Sequence, residues 1–436
     1  MRVEPPGSGH LLRVLGVGFG IAAVVGGTIG VGIFRTPGMV AARLPSPAAI
    51  LAVWLLGGVY SLLEANCTAE LATLVPAAGG PYVYVRAAFG DFPAFVVGWA
   101  DWFQNTVAIA FFGVAVAEYA AALATALARA PGIVAAVVLA AMVALQLLGV
   151  RAGGAVQRWT SALKALGFLA VVIAILWRGA PAPATASAVP AGLGLIVAVV
   201  AAFRALNVTY GGWNSVVYFA EEVRDPTRNL PRAMFHGLLL VVAIYLLVNA
   251  ALLHVLTPAQ LGASVLPLAD AARTVFGGAS AALVTLLALG SLASILNASM
   301  MQVPRTLYGL ARDRLFWHRM AEVSRGGTPV AATLATGAVA VLLALTGTFD
   351  ALAALYVFIG VLAGILTNLA VVALRRRWPD RPRPYAARGY PGSVALIVAV
   401  DLLLAAGFLV DDPASGLYAL GALVTSYPLY RAARRW

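Results

Sequence analysis

Of the 29 basic residues in this 436-residue chain, 28 are arginine and one is lysine. That residue, Lys164, lies eight residues into an apolar stretch, 156–177. A charged lysine at the centre of a bilayer costs at least ~2.5–3.5 kcal/mol on insertion scales. A lysine kept at that cost suits one of two roles, holding electronegative atoms or gaining and losing a proton. The alternative is a side chain that snorkels to the polar interface at its own end of the helix. Two glycine clusters offer a second chemistry. Residues 26–34 read GGTIGVGIF and residues 209–214 read TYGGWN. Each glycine in a helix costs about 1 kcal/mol relative to alanine, so clusters inside apolar stretches point to unwound backbone. Unwound backbone presents bare N–H and C=O groups, and at membrane depth it is tolerated only inside protein or beside a water-filled cavity. The plain alternative is close helix packing through small residues. The acids within apolar stretches are Glu64, Glu70, Asp101, Glu118 and Asp401, each a candidate for ion or proton handling.

Other chemistries lack their residues. The four histidines are scattered, and one cysteine, Cys67, allows neither an intramolecular disulfide nor a cysteine metal cluster. No Ser/His/Asp set is evident, and the Gly-Val-Gly of the first cluster is not followed by the Gly-Lys-Ser/Thr of a phosphate loop. The reading is no enzyme, no cofactor and no metal.

The elements that must carry these residues are transmembrane helices. The chain is 62% hydrophobic and 11% charged, against about 25% charged in soluble proteins, and its mean hydropathy is +0.92. Apolar stretches fall at 14–42, 47–75, 94–127, 133–150, 156–177, 191–220, 233–256, 280–311, 330–348, 350–374, 393–411 and 414–430, giving about twelve spans. They do not alternate as barrel strands would. The first is too long for a signal-peptide core and is read as retained. With the N-terminus inside, cytoplasmic segments hold 22 basic residues and outer loops hold four, Arg43, Arg129, Arg178 and Arg273. This asymmetry puts both termini in the cytoplasm. The net charge of +12 then belongs to loops facing an anionic leaflet rather than to nucleic-acid binding.

The glycine breaks fall in spans 1 and 6, at corresponding places in two five-helix halves, and paired broken helices point to a transporter with inverted repeats and a midplane site. Here the residues carry a family resemblance. Residues 26–37, GGTIGVGIFRTP, and residues 210–233, YGGWNSVVYFAEEVRDPTRNLPRA, resemble the first-helix and sixth-helix motifs of amino acid–polyamine–organocation transporters. Residues 69–84, AELATLVPAAGGPYVY, and the YGLARD at 308–313 are similar to further blocks of that family. The resemblance is closest to the L-type amino acid transporter branch and its bacterial relatives. It implies an all-α fold with a cytoplasmic N-terminus at 1–13, a first repeat at 14–177, an outer loop at 178–190, a second repeat at 191–374, and helices 11 and 12 with the C-terminus at 375–436.

A zwitterionic substrate suits such breaks without reference to any family. Amides near Gly30, Val31 and Gly32, at the positive end of a helix dipole, suit a carboxylate. Carbonyls left free near Thr28 and Val208 suit an ammonium. The resemblance implies substrate contacts along Thr28, Ile29, Gly30, Val31 and Gly32, and along Val208, Thr209, Tyr210, Gly211, Gly212, Trp213 and Asn214. Val31 departs from the family's common serine or threonine, and Val208 from the bulky gating aromatic of the L-type branch. The resemblance also places Lys164 where sodium-coupled relatives hold a cation, between helix 1 and the helix 8 candidates Ser291, Ser294 and Asn297. This implies sodium independence and allows proton coupling or exchange, with Glu64 as a relay and Glu70 in gating or folding. Arg204 either lines the outer vestibule or pairs with an acid such as Glu118.

The expected protein is thus a secondary amino acid transporter of the cytoplasmic membrane, monomeric or homodimeric, sodium-independent and proton-coupled. The alternatives are an exchanger or an amine/polyamine permease. Cys67 lies within span 2, so no disulfide-linked heavy chain is expected. A transporter-like sensor should carry a signalling domain and a channel a continuous polar stripe, and the sequence offers neither.

Overall fold

The computed structural model describes residues 13–30, 32–183, 192–264, 266–278, 280–346, 349–411 and 413–433. Residues 1–12 of the expected N-terminal segment 1–13, most of the loop 178–190, and Val31 lie outside these residues. The first span is two helices, α1 (Val17–Thr28) and α2 (Gly32–Arg43), bent by 49°. α3 (Pro47–Leu74), the short α4 (Pro81–Phe89), α5 (Asp91–Leu123), α6 (Pro131–Leu147) and α7 (Val150–Arg178) follow. The sixth span is α8 (Leu193–Tyr210), then Gly211 and Gly212, then a 3₁₀ turn at Trp213–Phe219. Next come α9 (Pro226–Val255), α10 (Pro258–Ala263), α11 (Pro267–Phe276), α12 (Ser280–Gln302) and α13 (Pro304–Arg312). The chain ends with α14 (Val330–Thr346), α15 (Phe349–Arg377), α16 (Gly392–Asp411), α17 (Pro413–Val424) and α18 (Ser426–Ala433).

Proline opens many of these helices. Pro47, Pro81, Pro131, Pro226, Pro267 and Pro304 sit in the first turn, where a missing N–H costs nothing and the fixed φ is already helical. Among the described residues seven helices are long and apolar enough to cross a membrane, or eight with the bent α1–α2 pair as one span. α6, α14 and residues 392–407 of α16 are shorter apolar helices. Every apolar stretch of the sequence meets a helix, and the molecule is an all-α, multi-pass membrane protein.

α1 is the central element, packed against α7, α9 and α12. Small residues allow this: a Cβ on Gly20 would lie 2.6 Å from the Ala233 Cβ, and one on Gly237 2.7 Å from the Val24 Cβ. α7 shows which way Lys164 points. Gln157, Ser161, Lys164, Phe168, Val172 and Ile175 form a buried stripe at helical spacing. Leu163 and Leu166 on the opposite face are 70% and 64% exposed, and Lys164 is 2% exposed. The lysine therefore faces the bundle and does not snorkel.

Glu70 sits near the C-terminal end of α3. Its carboxylate accepts hydrogen bonds from Arg375 (2.9 and 2.6 Å), Arg383 (3.1 Å) and the Ala387 amide (2.7 Å). Tyr385 and the Arg388 amide bond the nearby Asn66 (2.8 and 3.0 Å), so α3 ties down the whole connection between α15 and α16. Removing one member of a buried pair strands the other. Glu70→Gln is expected to lower unfolding stability in detergent by about 3 kcal/mol. Asp91→Asn, which breaks the half-exposed pair with Arg86, should cost under about 1 kcal/mol. Equal losses in denaturant titrations of the two variants would remove Glu70 from this anchoring role.

Candidate functional site

The two breaks touch each other. α1 ends where the Thr28 hydroxyl turns back to the Val24 carbonyl (2.7 Å) and the Ile29 amide closes on Val25 (3.0 Å). α8 ends where the Gly211 amide closes on Asn207 (3.0 Å), and Gly212 follows with φ +91°, a conformation open to glycine without strain. A Cβ on Gly212 would lie 2.2 Å from the Gly27 carbonyl oxygen, and one on Gly27 2.2 Å from the Ser215 hydroxyl. Gly32 is similarly close to Thr209, whose hydroxyl bonds that of Thr36 at 2.6 Å. A single hydroxyl spans both breaks: Tyr245 of α9 lies 3.0 Å from the Thr28 carbonyl and 2.9 Å from that of Thr209.

The residues expected to bind substrate divide into three groups. Thr28, Gly30, Gly32, Val208, Gly211 and Gly212 line a cavity of about 30 Å³ between the breaks, room for a water or two. Tyr210, Trp213 and Asn214 line a larger cavity of about 140 Å³ on the far side of the sixth span, which Gly211 and Gly212 also border. Ile29 and Thr209 are engaged by neighbouring side chains, and Val31 lies outside the described residues. Tyr210 is anchored through its hydroxyl to the Trp54 carbonyl (2.9 Å).

Lys164 meets the first break directly. Its Nζ donates to the Gly26 carbonyl at 3.2 Å and to the Ile29 carbonyl, and Ser291 of α12 donates to the same Ile29 oxygen at 3.1 Å. Ser294 and Asn297 lie further along α12 in an adjoining polar seam. Ser161 donates to the Ala22 carbonyl (2.9 Å) and lies 3.4 Å from Ser294. Asn297 donates to Gln157 (2.8 Å) and Gly153 (3.1 Å) and accepts from Gln146 (2.8 Å). Gln157 and Ser161 were missed in the sequence, although they precede Lys164 by seven and three residues on one helix face. Tyr245 was missed too, because nothing in the local run of α9 distinguishes it.

Of the other acids, Glu64, Asp101 and Asp401 share the larger cavity, and Glu70 and Glu118 lie elsewhere. Asp101 has both oxygens bonded, accepting from Tyr218 (2.6 Å), Thr306 (3.0 Å) and Asn105 (3.2 Å). Glu64 and Asp401 line the larger cavity, with the Tyr60 hydroxyl 2.5 Å from Asp401 Oδ1. Glu118 pairs with Arg35 of α2 at 3.0 Å. Arg204 turns toward α16, where it reaches the Gly407 carbonyl at 3.5 Å. Glu70 is placed in its anchor, away from Lys164 and both breaks.

The end of the bundle rich in arginine is closed by ion pairs around the sixth span. Glu222 and Arg305 form a pair that is almost wholly buried, with the guanidinium 4.5 Å above the Phe219 ring. Burial pushes the Glu222 carboxyl above its usual range, and Arg305 draws it back down. Glu221 takes Arg312 at 2.6 Å and the Ala78 amide at 3.0 Å. The strand-like pairing of Leu15 with Val223, through 2.9 and 2.8 Å backbone hydrogen bonds, joins the start of α1 to this network.

The two breaks thus border one small cavity lined largely by their own backbone, and the chain has relatives among known proteins. It is 29% identical to the serine/threonine exchanger SteT of Bacillus subtilis over 419 residues, 93% of each chain. It is 28% identical to the human b(0,+)-type amino acid transporter 1 over 423 residues, 94% of this chain and 84% of that one. An uncharacterised transporter of Mycobacterium tuberculosis is 30% identical over 444 residues, 98% of this chain and 93% of its own. With the amino acid permease model matching residues 19–428, the chain belongs to the amino acid permease family, APC-type transporters of amino acids near the L-type branch.

Proposed function

We propose that this chain moves amino acids by sodium-independent alternating access, with Lys164 in the place of a bound cation and exchange as its mode. The observation that carries this reading is the Lys164 ammonium on the Gly26 and Ile29 carbonyls of the first break. A cation is thereby already present where unwound carbonyls would otherwise attract one. Exchange is favoured over net proton-driven uptake by the 29% identity to a protein named as a serine/threonine exchanger.

The substrate headgroup is assigned to the small cavity between the breaks, its carboxylate toward the amides at Gly30 and Gly32. The present volume of about 30 Å³ fits a closed arrangement, and the breaks supply the hinges. The five-plus-five repeat division at 14–177 and 191–374 is supported by the matching places of the two breaks. The arginine-rich end, closed by Glu222–Arg305 and Glu221–Arg312, is assigned to the cytoplasmic side on charge asymmetry. Both termini are accordingly assigned to the inside, and the protein to the cytoplasmic membrane. Glu64 remains a proton-relay candidate, and Glu70 is assigned to folding.

The test is uptake of radiolabelled amino acids into liposomes holding purified protein. Replacing sodium by choline is expected to leave the rate unchanged, and uptake should require amino acid on the inside. A saturable dependence on sodium would overturn the assignment of Lys164, and accumulation driven by a pH gradient into empty vesicles would replace exchange by proton coupling.

Two sets of variants bear on the same site. Lys164→Ala and Lys164→Arg are each expected to lose at least about tenfold in exchange rate, because alanine lacks the ammonium and guanidinium is larger, planar and permanently charged. Wild-type exchange by monodisperse Lys164→Ala would make the lysine a packing residue. Gly212→Ala adds a methyl group where the Gly27 carbonyl already stands, in a left-handed backbone. It should abolish exchange with membrane insertion intact, whereas Gly290→Ala on α12, with open space at its Cβ, should retain most of it.

A further inference from the structure

The larger cavity is bounded by α3, α5, α8, α15 and α16 and shares Gly211 and Gly212 with the small cavity between the breaks. At about 140 Å³ it holds several waters. Three carboxylates line it, Glu64, Asp101 and Asp401, and no lysine, arginine or histidine does so among the described residues. Both oxygens of Asp101 already accept hydrogen bonds, from three donors in all. Asp401 is 3% exposed; Tyr60 occupies its Oδ1, and its Oδ2 has no hydrogen-bond partner. Asp401 lies at the middle of α16 and Tyr60 at the middle of α3, so this open oxygen sits deep in the bundle. An ionised carboxylate at such depth is costly unless a positive group or further donors reach it.

We propose that this cavity receives the side-chain cation of a basic amino acid, with Asp401 and Glu64 as its counter-charges. The inference rests on the proposed seating of the headgroup at the breaks and names the substrate class of that site. A side chain leaving the breaks past Gly211 and Gly212 would enter the larger cavity beside the Tyr356 hydroxyl, which stands at Gly211 and, with Asn105, borders both cavities. There the rings of Tyr60, Phe203, Trp213 and Tyr356 form much of the wall, and aromatic faces attract ammonium and guanidinium groups. A metal ion fits the site poorly. Among the described residues no three His, Cys, Asp or Glu side chains gather closely enough to hold one, so the cavity offers the Glu64 and Asp401 carboxylates without a metal-ligand cluster.

The experiment compares lysine with norleucine, which has a methyl group in place of the aminomethyl end of the lysine side chain, in liposomes loaded with unlabelled amino acid. Wild-type protein is expected to take up lysine at least as well as norleucine. Asp401→Asn and Glu64→Gln are each expected to lower the lysine-to-norleucine ratio at least tenfold, and Tyr60→Phe, which frees Asp401 Oδ1, to lower it less. An unchanged ratio in both carboxylate variants overturns the proposal. So does a wild type that carries norleucine or serine and rejects lysine; in that case amino acid transport stands, and Asp401 holds only a proton. If no amino acid in a full panel is carried, both this proposal and the transport assignment fall. Should the variants not fold, thermal stabilisation of detergent-solubilised wild type by lysine over norleucine reads the same selectivity, and equal stabilisation overturns it.

Discussion

A backbone group that leaves its helix inside a bilayer finds no water, so each break in this bundle must be answered by donors and acceptors from the protein itself. Much of the arrangement follows from that constraint. The carbonyls freed at the end of α1 are met by Lys164, Ser291 and Tyr245, drawn from α7, α12 and α9. The same Tyr245 hydroxyl reaches the carbonyl of Thr209 at the other break. Three helices are thereby held in register with α1 and α8 through hydrogen bonds to main chain, a form of recognition that does not depend on the side chains of the broken segments.

Meeting at close range imposes a second condition. The breaks approach so nearly that a methyl group on Gly27 or Gly212 would overlap atoms of the opposite segment. Glycine at these places serves unwinding and packing together. The sequence admits these as alternative explanations, and the structure makes them one, because the unwound segments are what pack. The remaining space is small, so any substrate seated between the breaks must move them apart. Such motion suits a hinge bounded by glycine and short of regular helix hydrogen bonds.

At the arginine-rich end the sixth span continues into Glu221 and Glu222, and these pair with Arg312 and Arg305 of α13. The backbone pairing of Leu15 with Val223 brings the start of α1 into the same cluster. Both broken spans are therefore connected to the ion pairs at this end. The Glu222–Arg305 pair is buried and stacked on Phe219, so parting it exposes two charges at once.

Much of this protein was determined by sequence alone, because its solvent is a bilayer. Apolar stretches of span length, the arginine asymmetry and the two glycine clusters are local properties, and the stretches and clusters each met the helix or break they implied. Lys164 stood out because a lone lysine in an apolar stretch has few stable explanations. The direction it faces was decided only by the fold: the sequence admitted an interfacial lysine, and burial of the 157–161–164–168 stripe against α1 and α12 removed that option. Glu70 and Asp401 both read as acids in apolar surroundings, and only the resemblance set Glu70 apart, in gating or folding. One became an anchor because Arg375 and Arg383 fold back onto it from some 300 residues away, and the other lines a cavity with an oxygen left open. The partner of a buried charge lies on another helix, at a sequence distance no local pattern encodes, so its role exists only once the helices pack.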